Sequence, residues 1–358
     1  MSYTLALGPF DANWRGPLRL VLTIEGDVVT DVAYEAGYNE RGCAERIPRL
    51  NLEQALHLVS RICGSDSHAH TLAFCQALEA LLGLTVPERA AYLRCAVAEL
   101  ERLIAHLSAL TTLFDMLGQA RYADRLRKLS EGAHQAMLLL TGTRSLPNIC
   151  LPGGVRQDLE DEQRSELLTV QAKLNRRLFS LIDRAIDERA LLARTVNVGA
   201  ISTTAAAQFG LRGPLGRGSG LTADLRLEQP YAAYEQLTVR LVVQDGGDVY
   251  ARLVVLLLEA LESGKLVEQA IERLPTGDWQ GALPNTLVAG SAEAAVESPH
   301  GLLQYRLESD GRRITGAVID PPHQLDRLLA RTLLIGALLD NVPLIVSSTD
   351  PCIACAEC

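Results

Sequence analysis

The sequence has 358 residues, 48% of them hydrophobic, enough to bury a large core as one elaborate domain or two closely packed ones, and this excludes disorder as the default state. The balance of 34 Lys plus Arg against 43 Asp plus Glu, a formal charge of -9, leaves no electrostatic footprint for nucleic acid and disfavours unaided docking to anionic lipid. The opening MSYTLALGPFDANWRG has no basic segment followed by an apolar run and a cleavage site, which predicts a cytosolic-side location.

In chain order, LRLVLTIEG and DVVTDVAYE alternate around Glu25-Gly26-Asp27 and predict a β-hairpin. From Asn51 the period becomes helical through Leu52, Ala55, Leu56 and Val59; Gly64 interrupts it, and a second helix is expected over 67–82. Pro87 opens a long helix whose Leu100, Leu103, Leu107, Leu110, Phe114 and Leu117 recur as a buried stripe. Glu99, Glu101 and His106 beside that stripe offer a proton route, but the pattern favours a solvated face. Further helices are expected over 120–140, 160–193, 231–274 with a break at Gly246-Gly247, and 324–339. The apolar run LVVLLL is closed by Arg252 and Glu259 and is too short to span a bilayer. Residues 196–229, with GLRGPLGRGSG, and 276–301, with GDWQGALPN and SPHG, are too long for passive connectors and are expected to be functional loops. LLQYRLESDGRRITGAVI predicts a β-element turning at Asp310-Gly311. The expected fold is α+β and predominantly helical. An N-terminal β-hairpin and loop (1–50) and a C-terminal β-element, helix and cysteine tail (301–358) flank a helical bundle (51–300), all in one compact domain.

Eight cysteines in a large chain without a secretion signal read as free thiols or metal ligands rather than a disulfide framework. The terminal DPCIACAEC places thiols at Cys352, Cys355 and Cys358, and a C-x-x-C pair lets two sulfurs converge on one metal from a tight turn stiffened by Pro351. In RICGSDSHAH, Cys63 ends a helix, Gly64 turns the chain and Asp66 stands where a second thiol would fall, so three thiols and a carboxylate can meet. The alternatives are idle tail cysteines with Cys63 as a small buried residue, or a ferredoxin-like C-x-x-C-x-x-C run that lacks its further local cysteine. Cys43, Cys75, Cys95 and Cys150 have no partner spacing and read as core. His68 and His70 read first as hydrogen-bonded structural residues, Asp350 as an acceptor behind the cysteines, and Arg212 and Arg217 as either anion ligands or packing.

RICG followed by His, and the terminal DPCxxC, resemble the two signatures of the [NiFe] hydrogenase large subunit. GYNERG is similar to that family's GYxHRG, AELERLIAHL to AExERxxxHL, LPGGVRQDL to GGVRxDL, and ESPHG to E-x-P-R-G. GLRGPLGRGSG with PYAAYE and GDVYAR is similar to the membrane-bound branch. The match runs in order along nearly the whole chain, which is identified as a member of the superfamily joining membrane-bound (group 4) [NiFe] hydrogenase large subunits and the quinone-site, 49-kDa-type subunit of respiratory complex I.

The resemblance implies a hydrogenase large-subunit-like bundle with metal ligands at Cys63, Asp66, Cys352, Cys355 and, in addition, Cys358. His70, His300 and Asp350 are the implied site residues, and the cofactor is a nickel-iron centre or a single metal. It also implies a small iron-sulfur partner subunit carrying a [4Fe-4S] cluster, a 30-kDa-like subunit, a ferredoxin-like subunit and a membrane arm with antiporter-like subunits. The chain would sit peripherally on the cytoplasmic side of the inner membrane, with the loop from Gly8 to Trp14 and the turn around Cys63 facing the iron-sulfur partner.

Several positions depart from both templates. Asp66 replaces a bridging thiolate with a harder donor. His300 stands where the family has an Arg over the metals, and the position of a proton-accepting Glu falls at about Arg15, which cannot relay protons near neutral pH. Cys358 replaces the usual His or Arg, and no maturation extension is expected after it. Asp11 replaces the His of the quinone-binding G-P-x-H-P loop. The expectation is a subunit of a membrane-bound energy-converting oxidoreductase with a degenerate site and weak or no H₂ turnover; the alternatives are an active hydrogenase with an unusual Cys3Asp site and a metal-free structural subunit.

Overall fold

The two alternating runs form strands β2 (Arg19–Glu25) and β3 (Val28–Glu35) of an antiparallel sheet. Leu20, Leu22, Ile24, Val29 and Val32 point into the core. The expected hairpin gains a third strand, β1 (Ser2–Leu7), paired to β2 from Ser2 opposite Glu25 to Leu7 opposite Leu20. SYTLAL alternates, with Leu5 and Leu7 partly buried against the core and the other positions exposed, so it adds an edge strand of light burial. The computed structural model describes residues 2–11, 14, 16–282, 284, 286–322 and 325–358.

Helix α1 (Leu52–Val59) begins with a capping box in which Asn51 accepts from the Gln54 backbone and the Gln54 side chain accepts from the Asn51 N–H. Helix α2 (Ser67–Leu82) occupies the expected span and ends at Gly83 in the left-handed conformation. Helix α3 (Glu88–Met116) follows Pro87, and its leucine stripe is buried. The face beside the stripe is buried as well. Glu99, Glu101 and His106 are enclosed, contrary to the solvated-face reading, because α3 is covered by α4 (Ala120–Thr141), by α6 (Val249–Glu272) and by the turns that cross it. Helix α5 (Asp161–Ala185) packs on α4 and α6 and completes the bundle.

Two expected helices are shorter than their patterns. The 160–193 pattern breaks after Ala185, where Glu188 leaves the helical region before a new turn at Arg189–Thr195. Within 231–274 only α6 is α-helical. The preceding stretch holds a single 3-10 turn, Tyr234–Gln236, and otherwise runs as an extended strap whose Thr238 and Arg240 amides donate to the Gln269 and Glu262 side chains. Asp248 then caps α6 by accepting from Ala251 N.

Residues 276–301 are not wholly a loop. After the two-residue strands β4 (Cys150–Leu151) and β5 (Gly154–Val155), β6 (Ala289–Ser298) pairs with β7 (Gly301–Asp310), and β8 (Ile314–Asp320) continues the antiparallel sheet. Helix α7 (Arg327–Leu334) covers part of the 324–339 pattern, whose Gln324 lies outside the described residues. Two apolar clusters result. One joins the N-terminal sheet to the bundle; the other joins α1, α2 and the β6–β8 sheet, and contains Cys63, Cys352 and Cys355. Among the described residues no helix is long and apolar enough to cross a membrane.

Candidate metal centre

Three chain reversals meet at one end of the second cluster: the α1–α2 turn with Cys63 and Asp66, the Pro299-His300 turn between β6 and β7, and the C-terminal turn with Cys352 and Cys355. Cys63, Asp66, Cys352 and Cys355 are buried, and one donor atom from each lies within 4.8 Å of all the others. Cys63 Sγ is 3.2 Å from Cys352 Sγ, which is 3.1 Å from Cys355 Sγ, and the Cys355 thiol donates to Asp66 Oδ2 at 3.0 Å. Four donors at such separations suit one ion; three sulfurs fit a thiolate-favouring metal, while the single carboxylate departs from an all-thiolate frame. Cys358 stays outside this group. The helical turn Ile353–Ala356 ends before it, and its half-buried thiol is pushed up to about 11 by burial and by neighbouring Cys43.

The carboxylate is as fully engaged as the thiols. His300 Nδ1 lies 2.9 and 2.8 Å from the two oxygens of Asp66, and its Nε2 lies 3.3 Å from Asp350 Oδ2. Burial alone would depress the imidazole, but the flanking Asp66 and Asp350 outweigh it and raise His300 to about 10. His300 is therefore a cation over the cluster at neutral pH. Asp350 holds a left-handed φ of 47°, which sets its carboxylate beside that ring just ahead of Pro351. Hydrogen bonds from Cys352 and Cys355 hold the Cys63 thiol well below its usual range against the opposing effect of burial, and Ser65 N donates to the same sulfur at 3.3 Å. Burial pushes Cys355 the other way.

The surrounding contacts explain why the three turns stay together. Arg41, in the GYNERG motif, donates to Ile62 O at 2.7 Å and Ala354 O at 2.9 Å, tying the two cysteine segments to one guanidinium. Glu357 accepts from Gly37 N and Asn39 N of the same loop, each at 2.6 Å. His70 lies 2.7 Å from the Tyr305 hydroxyl and 3.4 Å from Cys355 Sγ, so it links β7 to the cluster. Neither Arg41 nor Tyr305 stood out as a site residue by type; the arginine's signal was its place in the motif.

Behind the turn, Arg102 donates to Glu297 O and Ser298 O at 2.5 and 2.7 Å. Arg217 binds Glu259 and Glu297, and Arg226 binds Glu99 and Asp224, so these arginines form a buried network rather than an anion site. Arg212, by contrast, is half-buried and paired with Glu228. Gly213 sits at φ +66° against the turn, where a Cβ would come within 2.5 Å of His300 O and 2.7 Å of Gly301 Cα. Glu101 accepts from His68 N and Ala69 N at 2.7 and 2.9 Å; burial and the nearby Asp66 raise it well above the carboxylate range. It also lines a cavity of about 380 Å³ beside Gly64-Ser65, shared with His134 and Arg144. His68 Nε2 pairs with Arg94 O at 3.0 Å, and His68 is not among the four residues whose donor atoms converge. Cys43, Cys75, Cys95 and Cys150 are buried. Arg15 lies outside the described residues, as does part of the Gly8–Trp14 loop.

Residues 125–289 match the family described as respiratory-chain NADH dehydrogenase, 49 Kd subunit. The chain is 30% identical to the carbon monoxide-induced hydrogenase of Rhodospirillum rubrum over 99% of both chains. It is 33% identical to an NADH-quinone oxidoreductase subunit of Herpetosiphon aurantiacus, over 85% of this chain and 84% of the relative. Among solved structures it is similar to a chain of the membrane-bound sulfane sulfur reductase, an archaeal respiratory membrane complex. That match has a TM-score of 0.93 and 25% identity, and covers 100% of this chain and 98% of the other.

Proposed function

Because the chain belongs to the family of the respiratory-chain NADH dehydrogenase 49 kDa subunit and the membrane-bound hydrogenase large subunits, we propose that it is the large subunit of an energy-converting oxidoreductase whose nickel-iron site has degenerated. It works peripherally, on the cytoplasmic face of a membrane arm with antiporter-like subunits. Electrons arrive through a small iron-sulfur subunit carrying a [4Fe-4S] cluster, with 30-kDa-like and ferredoxin-like subunits alongside, and their transfer is coupled to ion translocation. The observation that carries this reading is the cluster of three buried thiols whose fourth member, Asp66, is paired with His300.

Cys63, Asp66, Cys352 and Cys355 would hold a metal, which when bound supplies an electron-accepting centre. The protein residues do the rest. His300 keeps a positive charge at the cluster, His70 orients Cys355, and Glu101, raised well above the carboxylate range, anchors the start of α2 beside the cavity. H₂ turnover is expected to be weak or absent, since the bridging thiolate and the overhanging Arg are both replaced. Loss of a single preorganised charged donor typically costs about 3 kcal/mol of transition-state stabilisation. The test is metal analysis of the purified complex, infrared spectroscopy for bound CO and cyanide, and H₂ assays with a low-potential donor. Background H₂ rates and absent CO and cyanide bands are expected; robust H₂ oxidation or evolution would overturn the proposal.

The thiol contacts favour a second reading, sulfane sulfur reduction by the cysteines themselves. The Cys63 thiolate attacks a polysulfide sulfur and displaces the remaining polysulfide thiolate, giving a persulfide. Cys352, losing its proton, attacks Cys63 Sγ, releases hydrosulfide and closes a disulfide, which two electrons and two protons reopen. Sulfide release that survives metal removal, with a Cys63–Cys352 disulfide in the trapped oxidised protein, would select this route.

A further inference from the structure

The chain carries a surplus of acidic residues, and several of its surface arginines are paired with its own carboxylates. Arg127 pairs with Asp115 and Asp124, Arg144 with Glu131, Arg212 with Glu228 and Arg331 with Asp31. One part of the surface instead gathers cations with no carboxylate among them. Between α4 and α5 lies a groove of about 590 Å³ walled by Arg125, Lys128, Lys173, Arg176, Arg177 and Arg184. All six are exposed, no carboxylate lines the groove, and among the described residues none of the six forms a salt bridge.

We propose that this cationic groove between α4 and α5 docks an acidic amphipathic helix from another subunit of the complex, an inference that rests on the multi-subunit reading above. The dimensions fit such a segment. Lys173 to Arg184 span three helical turns, about 16 Å at 1.5 Å per residue. The floor carries Leu129 and Leu181, 5% and 3% exposed, recessed below two rims of charge. A helix laid in the groove would set its apolar stripe on the leucines and its Asp and Glu side chains against both rims. A membrane surface fits less well, because the cations face one another across a cleft and the leucines are too deep to insert into lipid. A nucleic acid fits less well too, because the lining holds no aromatic side chain for base stacking.

The composition makes the test unusually clean. The chain has only three lysines, Lys128, Lys173 and Lys265, two of which are in the groove. A zero-length carbodiimide joins lysine amines directly to carboxylates in contact with them. In the isolated complex, Lys128 and Lys173 should cross-link to one Asp- and Glu-rich segment of another subunit, and half-buried Lys265 should not. Raising the salt to about 1 M before the reagent is added should abolish the products, since rim contacts of this kind are screened. The variant K128E/K173E/R177E should retain that subunit at least tenfold less at moderate salt, with the remaining subunits unchanged; if it fails to assemble, the wild-type cross-links decide alone. A complete complex without such cross-links overturns the proposal. So does cross-linking to a second copy of this chain, or loss of binding to phosphatidylglycerol vesicles in the variant with every subunit retained, which would assign the groove to lipid. A chain that purifies without companions refutes the multi-subunit reading itself, and the groove assignment with it.

Discussion

Arg217→Leu removes the cation that joins the bundle to the turn bearing His300, and its consequence can be worked out from the contacts. The Arg217 guanidinium donates to Glu259 at 2.5 and 3.1 Å, to Glu297 at 2.7 Å and to Ala223 O at 3.1 Å. Leucine fills much of the space and donates nothing. Glu259 would keep only His106, at 3.2 Å, and the Glu297 carboxylate only Leu225 N, at 3.1 Å. Breaking a buried ion pair from one side costs about 3–5 kcal/mol, and with two carboxylates stranded the upper figure applies. That is a third or more of the roughly 5–15 kcal/mol that holds a typical domain together.

The loss should depend on pH in a particular direction. In the wild type, burial opposes ionisation of Glu259, but Arg217 and His106 hold it well below its usual range. Its stabilisation is therefore present above the unfolded-state pKa and is lost only as pH falls below it. Without Arg217 the folded state takes up a proton at Glu259 or His106 that the unfolded carboxylate does not bind near neutrality. The deficit should then shrink on acidification, by up to about 1.4 kcal/mol per pH unit for one proton. Native-state hydrogen exchange at the α3 and α6 amides, at pH 7 and pH 5.5, reads the opening free energy directly. A deficit under about 1 kcal/mol at pH 7, or one equal at both pH values, would refute the charged-network account.

Asp66→Cys completes a four-thiolate set and should raise affinity for soft divalent metals at least tenfold, read by competition with a chelator; unchanged affinity would mean that Asp66 is not a ligand. Gly213→Ala combines a positive φ with a Cβ placed 2.5 Å from His300 O, so it should cost about 2 kcal/mol or more and shift the His300 ring resonances, whereas alanine at exposed Gly210 should leave those resonances in place. His68 is held neutral, its pKa lowered to about 3 chiefly by burial. Its unfolded form protonates below about 6.5, so stability should fall by about 1.4 kcal/mol per pH unit as pH drops from 6.5 toward 3, and thermal unfolding of His68→Gln should lack that component.

Local chemistry determined a good part of this molecule. The span of α2 follows from a helical period punctuated by Gly64 and Gly83, the start of α1 from Asn51 and Gln54, and the buried stripe of α3 from its leucine spacing. These features are set within a few residues of chain, which is why they are legible without tertiary context. Only the tertiary structure decided what covers each surface. Glu99 and His106 look like a solvated face until Arg226 and Glu259 arrive from 127 and 153 residues away, and no periodicity distinguishes a face met by water from one met by buried arginines. Strands β1 and β6 are completed by the backbone partners a neighbouring strand offers, and the strap before α6 is held extended where its Thr238 and Arg240 amides donate to side chains of α6. Cys63 and Cys352 are 289 residues apart, so their spacing carried no geometry and family motifs alone suggested that they meet. Cys358 continues the three-residue cysteine rhythm, yet the helical turn that brings Cys352 and Cys355 together has ended before it. The side chains of a metal centre are assembled by chain reversals, and reversals far apart in sequence are positioned by the packing between them.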